Sequence, residues 1–161
     1  MVGGAAAEHR NMNLGELINS RGIVRLETKD KTEALEHLIE MLARRKEVTS
    51  KDRLRRAIKD REKILSTGIG SGIAVPHAKI PQAKAFCAVV GVSTEGIPYA
   101  SLDGKPVHVI VMIAAPIDQH DQYLRILKVI TRNLKDEEVR KRIVNSKDLK
   151  SIHAVFNEFE Y

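Results

Sequence analysis

At 161 residues the chain is long enough to bury most of its apolar surface around one core and needs no second domain. A composition of 43% hydrophobic and 30% charged residues excludes wholesale disorder, and the longest apolar stretch, 107–116, is about half the ~20 residues a spanning helix needs, which argues against insertion into a membrane. The formal charge of +6, from 27 Lys and Arg against 21 Asp and Glu, suits an anionic ligand, an acidic partner or nucleic acid without choosing among them.

Residues 1–11 read as a flexible leader, small and polar with no apolar period, and Met12 is a candidate start. They lack the basic and apolar regions of a secretory signal, so a cytoplasmic address is expected. Residues 14–18 predict a short helical turn, and Ile23-Val24-Arg25-Leu26 a strand after the Ser20-Arg21-Gly22 break. Asp30 is placed to cap a helix over 31–45, where Ala34, Leu35, Leu38, Ile39, Met41 and Leu42 recur at spacings of three and four. Thr49 or Ser50 caps a second helix through Leu54, Ala57, Ile58 and Ile64, whose outer face carries Lys51, Arg53, Arg55, Arg56, Lys59 and Arg61.

From 67 to 81 the character changes, with glycines at 68, 70 and 72 and prolines at 76 and 81, and a loop or edge strand is expected. The apolar runs 86–92 and 107–114 are the strongest strand signals, with turns expected at Glu95-Gly96-Ile97-Pro98 and Asp103-Gly104-Lys105-Pro106. Cys87, the one cysteine, excludes an intrachain disulfide and reads as a buried small hydrophobe. Helical faces follow at Tyr123, Leu127, Ile130 and Leu134, then at Val139 and Ile143, then at Leu149, Ile152, Phe156 and Phe159. The expected architecture is α/β: a mixed sheet of about four to five strands covered by helices on both faces, in a single domain over 12–161.

The glycine-rich segment carries the chemistry. Alternating glycines let backbone N–H groups converge on an anion at close range, and Ser66, Thr67 and Ser71 add hydroxyl donors. Pro76 stiffens the chain just before His77 and cannot donate to a sheet ladder, so the imidazole can face outward as a nucleophile. Gly68-x-Gly70-x-Gly72 is neither a dinucleotide fingerprint nor a Walker loop. Spacing alone leaves two readings open, a phosphohistidine loop and a glycine-rich turn that happens to end in a histidine.

The segment Arg61-Glu62-Lys63-Ile64-Leu65-Ser66-Thr67-Gly68-Ile69-Gly70-Ser71-Gly72-Ile73-Ala74-Val75-Pro76-His77 resembles the active-site signature of the fructose/mannitol-type enzyme IIA family of the bacterial phosphotransferase system. The resemblance extends from Leu14 through Gly104-Lys105-Pro106-Val107 and Tyr123-Leu124-Arg125-Ile126-Leu127. It implies a phosphotransferase in which His77 takes a phosphoryl group from a histidine phosphocarrier protein. The group then passes to a IIB domain, or the phosphorylation state signals to a regulatory target. It implies Arg61 as a helper that holds the phosphoryl group, with Thr67, Gly68, Gly70 and Gly72 as the phosphate-binding segment, and neither a metal nor a cofactor. The absence of an attached IIB or membrane part in the sequence points to the nitrogen-regulatory branch, with a separate sugar-transporting component as the alternative.

One departure stands out. Where the family carries a second histidine, alignment of Tyr123-Leu124-Arg125-Ile126-Leu127 puts Tyr123, while His120 lies three residues earlier. Either fills the second position, and a helix that already includes 120 makes the two neighbours on one face. An apolar rim for the docking partner is expected from Ile69, Ile73 and Val75, with Lys79 at its edge. His9, His37, His108 and His153 form no metal-ligand spacing. The basic helix at 51–61 reads as a solvated face rather than a nucleic-acid surface, because the chain is only 4% aromatic and has no Trp to stack on bases.

Overall fold

The computed structural model describes residues 12–161; the leader expected at 1–11 lies outside them. Six helices and six strands follow in the order α1 (Leu14–Ile18), β1 (Ile23–Arg25), α2 (Lys31–Ala43), α3 (Lys51–Ile64), β2 (Gly68–Gly70), β3 (Ile73–Ala74), β4 (His77–Lys79), β5 (Cys87–Ile97), β6 (Val107–Ala115), α4 (His120–Leu134), α5 (Glu137–Val144) and α6 (Leu149–Phe156). Helix starts follow the local chemistry: Asp30 accepts from the Glu33 N–H and Ser50 from the Arg53 N–H, each side chain satisfying an otherwise orphaned donor.

The strands form one mixed sheet in the order β1-β5-β6-β3-β2, with β4 on β6 along the same edge as β3. β5 and β6 pair antiparallel, with Cys87 opposite Ala114 and Val92 opposite Val109, and β1 runs parallel to β5. The sheet is therefore mixed, as expected, but has six strands rather than four to five. The extra strands come from the segment expected to be a loop or an edge strand, which supplies three short strands. The free edge of β6 needs backbone partners, and residues 73–79 supply them.

Alternation along the central strands sorts side chains onto two cores. Ala88, Val90, Val92, Val109, Val111 and Ile113 face α1, α4, α5 and α6; Val89, Ile110, Met112 and Ala114 face α2 and α3. Cys87 lies fully buried in the second core, where loss of hydration pushes its thiol up to about 12. The turn expected at 95–98 is instead the end of β5. Gly96 adopts φ +90°, its N–H donates to Ser93 Oγ at 2.9 Å, and the pairing register slips between Val92 and Ile97, which is a bulge.

Gly91 of β5 sits close under Leu26 and under Leu38 of α2. A Cβ there would lie 2.5 Å from Leu26 Cδ1 and 3.3 Å from Leu38 Cδ1. Gly91→Val should lower stability by about 2–3 kcal/mol, the cost of overpacking a filled core, read as a lower urea midpoint at unchanged slope.

Candidate functional site

His77 opens β4, immediately after the two residues that separate it from β3. Ile73 and Ala74 pair with Val109 and Ile110, whereas His77, Ala78 and Lys79 pair with Ile113, Ala114 and Ala115. Pro76 offers no N–H but its carbonyl accepts from the Ile113 N–H at 3.0 Å, so the chain stays on the edge while the ladder is interrupted. Ala78 points into the α2 and α3 core; His77 and Lys79, on the other face, are half-buried.

The imidazole is held by one short contact, His77 Nδ1 to the Val75 carbonyl at 2.8 Å. A carbonyl only accepts, so Nδ1 carries the proton and Nε2 keeps its lone pair. Burial, the largest influence, lowers the His77 pKa; the Val75 carbonyl raises it in part, and the charges of Arg61 and Lys79 add to the lowering. At neutral pH the ring is therefore an uncharged base with a free Nε2.

The ring's neighbours come from both helical layers. Arg61, on the last turn of α3, donates to the Leu65 carbonyl at 2.8 Å, and its charge acts on both His77 and Tyr123. Tyr123, on the first turn of α4, is almost fully buried, with its ring centroid 5.5 Å from that of His77 and 6.1 Å from that of His120. Burial raises the Tyr123 pKa, which keeps its hydroxyl protonated. His120 begins α4, so it and Tyr123 are neighbours one turn apart; the Tyr123 ring lies against His77, and the His120 ring lies against Tyr123. Lys79 joins them, with Nζ 2.8 Å from His120 Nδ1 and 4.9 Å from the centre of the Tyr123 ring.

The segment before His77 does other work. Thr67 is buried, its N–H and hydroxyl donating to the two Glu62 carboxylate oxygens at 3.0 and 2.6 Å, and the Tyr99 hydroxyl lies 2.9 Å from its Oγ1. Glu62 in turn pairs with Lys31 at 2.7 Å. This network, which sequence reasoning missed, ties α3 to β2 directly beside Arg61; Glu62 next to Arg61 in a basic helix was its only trace.

The glycines shape a hairpin. Gly68 passes so close to Ser101 and Tyr99 that a Cβ would sit 2.3 Å from Ser101 Oγ. Gly70, Ser71 and Gly72 all have positive φ at the tip, where the Ser71 N–H donates to Asp103 Oδ2 at 3.0 Å. The Gly72 carbonyl accepts from His108 and the Pro76 carbonyl from Ile113, five residues further along β6. At ~3.3 Å per residue the tip is about 16 Å from His77. The two tip glycines expected to help cradle a phosphate, Gly70 and Gly72, are accordingly remote from the imidazole.

The expected apolar rim also differs. Ile73 and Val75 are buried in the core and Ile69 packs against it. The exposed apolar side chains in the neighbouring chain are instead Ile64 and Leu65 after Arg61, Ile117 before His120, and Leu124 beside Tyr123. Among the described residues no helix is long and apolar enough to cross a membrane.

Two expectations follow. In an NMR titration His77 should protonate below the usual imidazole value near 6.5, and Arg61→Gln should move that midpoint upward by removing a nearby positive charge. Thr67→Val should cost about 1–3 kcal/mol in chemical denaturation, because it strips a buried carboxylate of its hydroxyl donor.

A family model described as "Phosphoenolpyruvate-dependent sugar phosphotransferase system, EIIA 2" matches residues 16–159. The chain is 31% identical over 150 residues to a fructose-specific EIIABC component of that system from Bacillus subtilis, covering 92% of this chain but only 24% of that protein. It is 29% identical over 132 residues to a nitrogen regulatory protein of Bradyrhizobium diazoefficiens, covering 81% and 84% of the two chains. The crystal structure of nitrogen regulatory protein IIA-Ntr from Neisseria meningitidis superposes with a TM-score of 0.82 at 22% identity, over 88% of this chain and 97% of that one, which establishes the shared fold.

Proposed function

The chain belongs to the EIIA 2 family of the phosphoenolpyruvate-dependent sugar phosphotransferase system, and from that premise we propose that it is a phosphocarrier with His77 as the residue that is phosphorylated. The observation that carries this reading is the 2.8 Å bond from His77 Nδ1 to the Val75 carbonyl, which leaves Nε2 as the nucleophile on a neutral ring flanked by Arg61 and Lys79.

The transfer runs in line. The Nε2 lone pair of His77 forms the new N–P bond as the N–P bond to the donor histidine breaks, and the donor nitrogen recovers the electron pair. His77 keeps its Nδ1 proton, and the Val75 carbonyl accepts from it before and after transfer. The ring thus becomes cationic beside the phosphoryl dianion without any proton leaving the site. Arg61 supplies a fixed charge and a fork of donors for the phosphoryl oxygens, and His120 a further donor. The group arrives already activated on the partner's nitrogen, so the chain's contribution is positioning and charge.

The donor is a histidine phosphocarrier protein, and the acceptor a IIB domain or a regulatory target. Ile64, Leu65, Ile117 and Leu124 support such docking, because four exposed apolar side chains lie within four residues of Arg61, His120 or Tyr123. A nitrogen-type regulatory role is favoured by similarity along 84% of the length of the Bradyrhizobium protein. The 31% identity to the fructose-specific protein supports the second reading, a sugar-transport component.

Incubation with phosphoenolpyruvate, its phosphotransferase and a histidine phosphocarrier protein should place one acid-labile phosphate on each chain. His77→Ala should reduce incorporation to background, and Arg61→Gln should slow it by about 10- to 100-fold, the loss of a charge-assisted contact. Undiminished labelling of His77→Ala would overturn the assignment.

A further inference from the structure

Resting on the phosphocarrier reading, we propose that Lys79 is a positioning residue of the phosphoryl site: it sets the tautomer of His120 and holds a fixed positive charge against Tyr123. The position where the family resemblance expects a second histidine is thereby filled by three side chains acting together, Lys79, His120 and Tyr123.

The tautomer follows from donor chemistry. An ammonium has three N–H donors and no lone pair, so in the 2.8 Å contact between Lys79 Nζ and His120 Nδ1 the lysine donates and the imidazole accepts. His120 therefore has no proton on Nδ1, and its ring N–H is on Nε2, free to donate. This is the opposite tautomer to that of His77, whose proton is on Nδ1 against Val75. One histidine thus presents a lone pair at Nε2 and the other a donor, so His120 can donate to a phosphoryl oxygen while His77 attacks phosphorus.

Geometry places the lysine for this task. His77 and Lys79 alternate onto the same face of β4, about 6.6 Å apart at ~3.3 Å per residue, with Ala78 turned into the core between them. The ammonium lies 4.9 Å from the centre of the Tyr123 ring, within cation–π range, and Tyr123 is held rigid by burial. Tyr123 is packed against both imidazoles, so it sets their separation.

The charges argue for an anion here. On α3, Lys51, Arg55 and Lys59 pair with Glu36 or Glu40, and Lys31 pairs with Glu62. Among the described residues neither Lys79 nor Arg61 has a carboxylate partner; their hydrogen bonds go to His120 Nδ1 and to the Leu65 carbonyl. Two uncompensated cations flank an imidazole whose pKa they depress, an arrangement that becomes favourable when a phosphoryl dianion is added.

The test uses the full chain and two variants, Lys79→Met and Lys79→Arg. Long-range 15N–1H spectra at pH 7.5 should show His120 protonated at Nε2 in the parent protein. That single-tautomer signature should be lost in Lys79→Met and retained in Lys79→Arg. Phosphoryl uptake by His77 from the charged histidine phosphocarrier protein should slow by about 10- to 100-fold in Lys79→Met, and Lys79→Arg should recover most of it. A His120 ring protonated at Nδ1 in the parent protein, or uptake by Lys79→Met within twofold of the parent, overturns this proposal and leaves the phosphocarrier reading intact. No phosphate on His77 of the parent protein overturns both.

Discussion

The pairing of β6 is the constraint on which the site depends. Both faces of this strand are buried and one edge is taken by β5, so the N–H and C=O groups of its other edge have to be met from within the chain. Residues 73–79 meet them in two parallel pieces, with Pro76 at the break. A proline is tolerated on an edge and not inside a sheet, and here its carbonyl still serves the ladder. The interruption brings the His77 ring back over the carbonyl of Val75 at the end of the sheet, where its tautomer is set by backbone alone.

The two helical layers then complete the site from opposite faces. Arg61 arrives on α3, whose Leu54 and Ile58 are buried on one side of the sheet. Tyr123 and His120 arrive on α4, whose Ile126, Val129 and Ile130 are buried on the other. The hydrophobic packing of both layers holds the imidazole's surroundings in place, and the Glu62, Thr67 and Tyr99 network braces the end of α3 where Arg61 lies.

Electrostatics at the site differs from that of the ion-paired stretch of α2 and α3. Along α2 and α3, Lys51, Arg55 and Lys59 are paired with Glu36 and Glu40, which suits a solvated helix pair. Around His77, burial first and then the charges of Arg61 and Lys79, neither with a carboxylate partner among the described residues, disfavour a charged ring. The result is a histidine kept neutral in a locally positive setting, the combination a nucleophile toward phosphorus needs.

The helices were legible in the sequence because their signals are local: the three-and-four spacing of Leu35, Leu38, Ile39 and Leu42, and the Asp30 and Ser50 caps, depend on neighbours along the chain. The strands at 86–92 and 107–114 and the burial of Cys87 were legible for a similar reason, since a continuous apolar run has to be covered on both faces. His77 and Arg61 were singled out as site candidates only through resemblance, because nothing local separates a nucleophilic histidine from an ordinary one, and their roles rest on the proposal. What tertiary structure decided was everything that depends on register between distant segments. It placed Gly70 and Gly72 in a hairpin tip remote from the imidazole, turned Ile73 and Val75 inward, and committed Thr67 to Glu62. It also brought Lys79 of β4 against His120 of α4, 41 residues away in the chain. Spacing along one segment carries no information about which edge of β6 that segment will pair with, and that pairing determines which side chains meet.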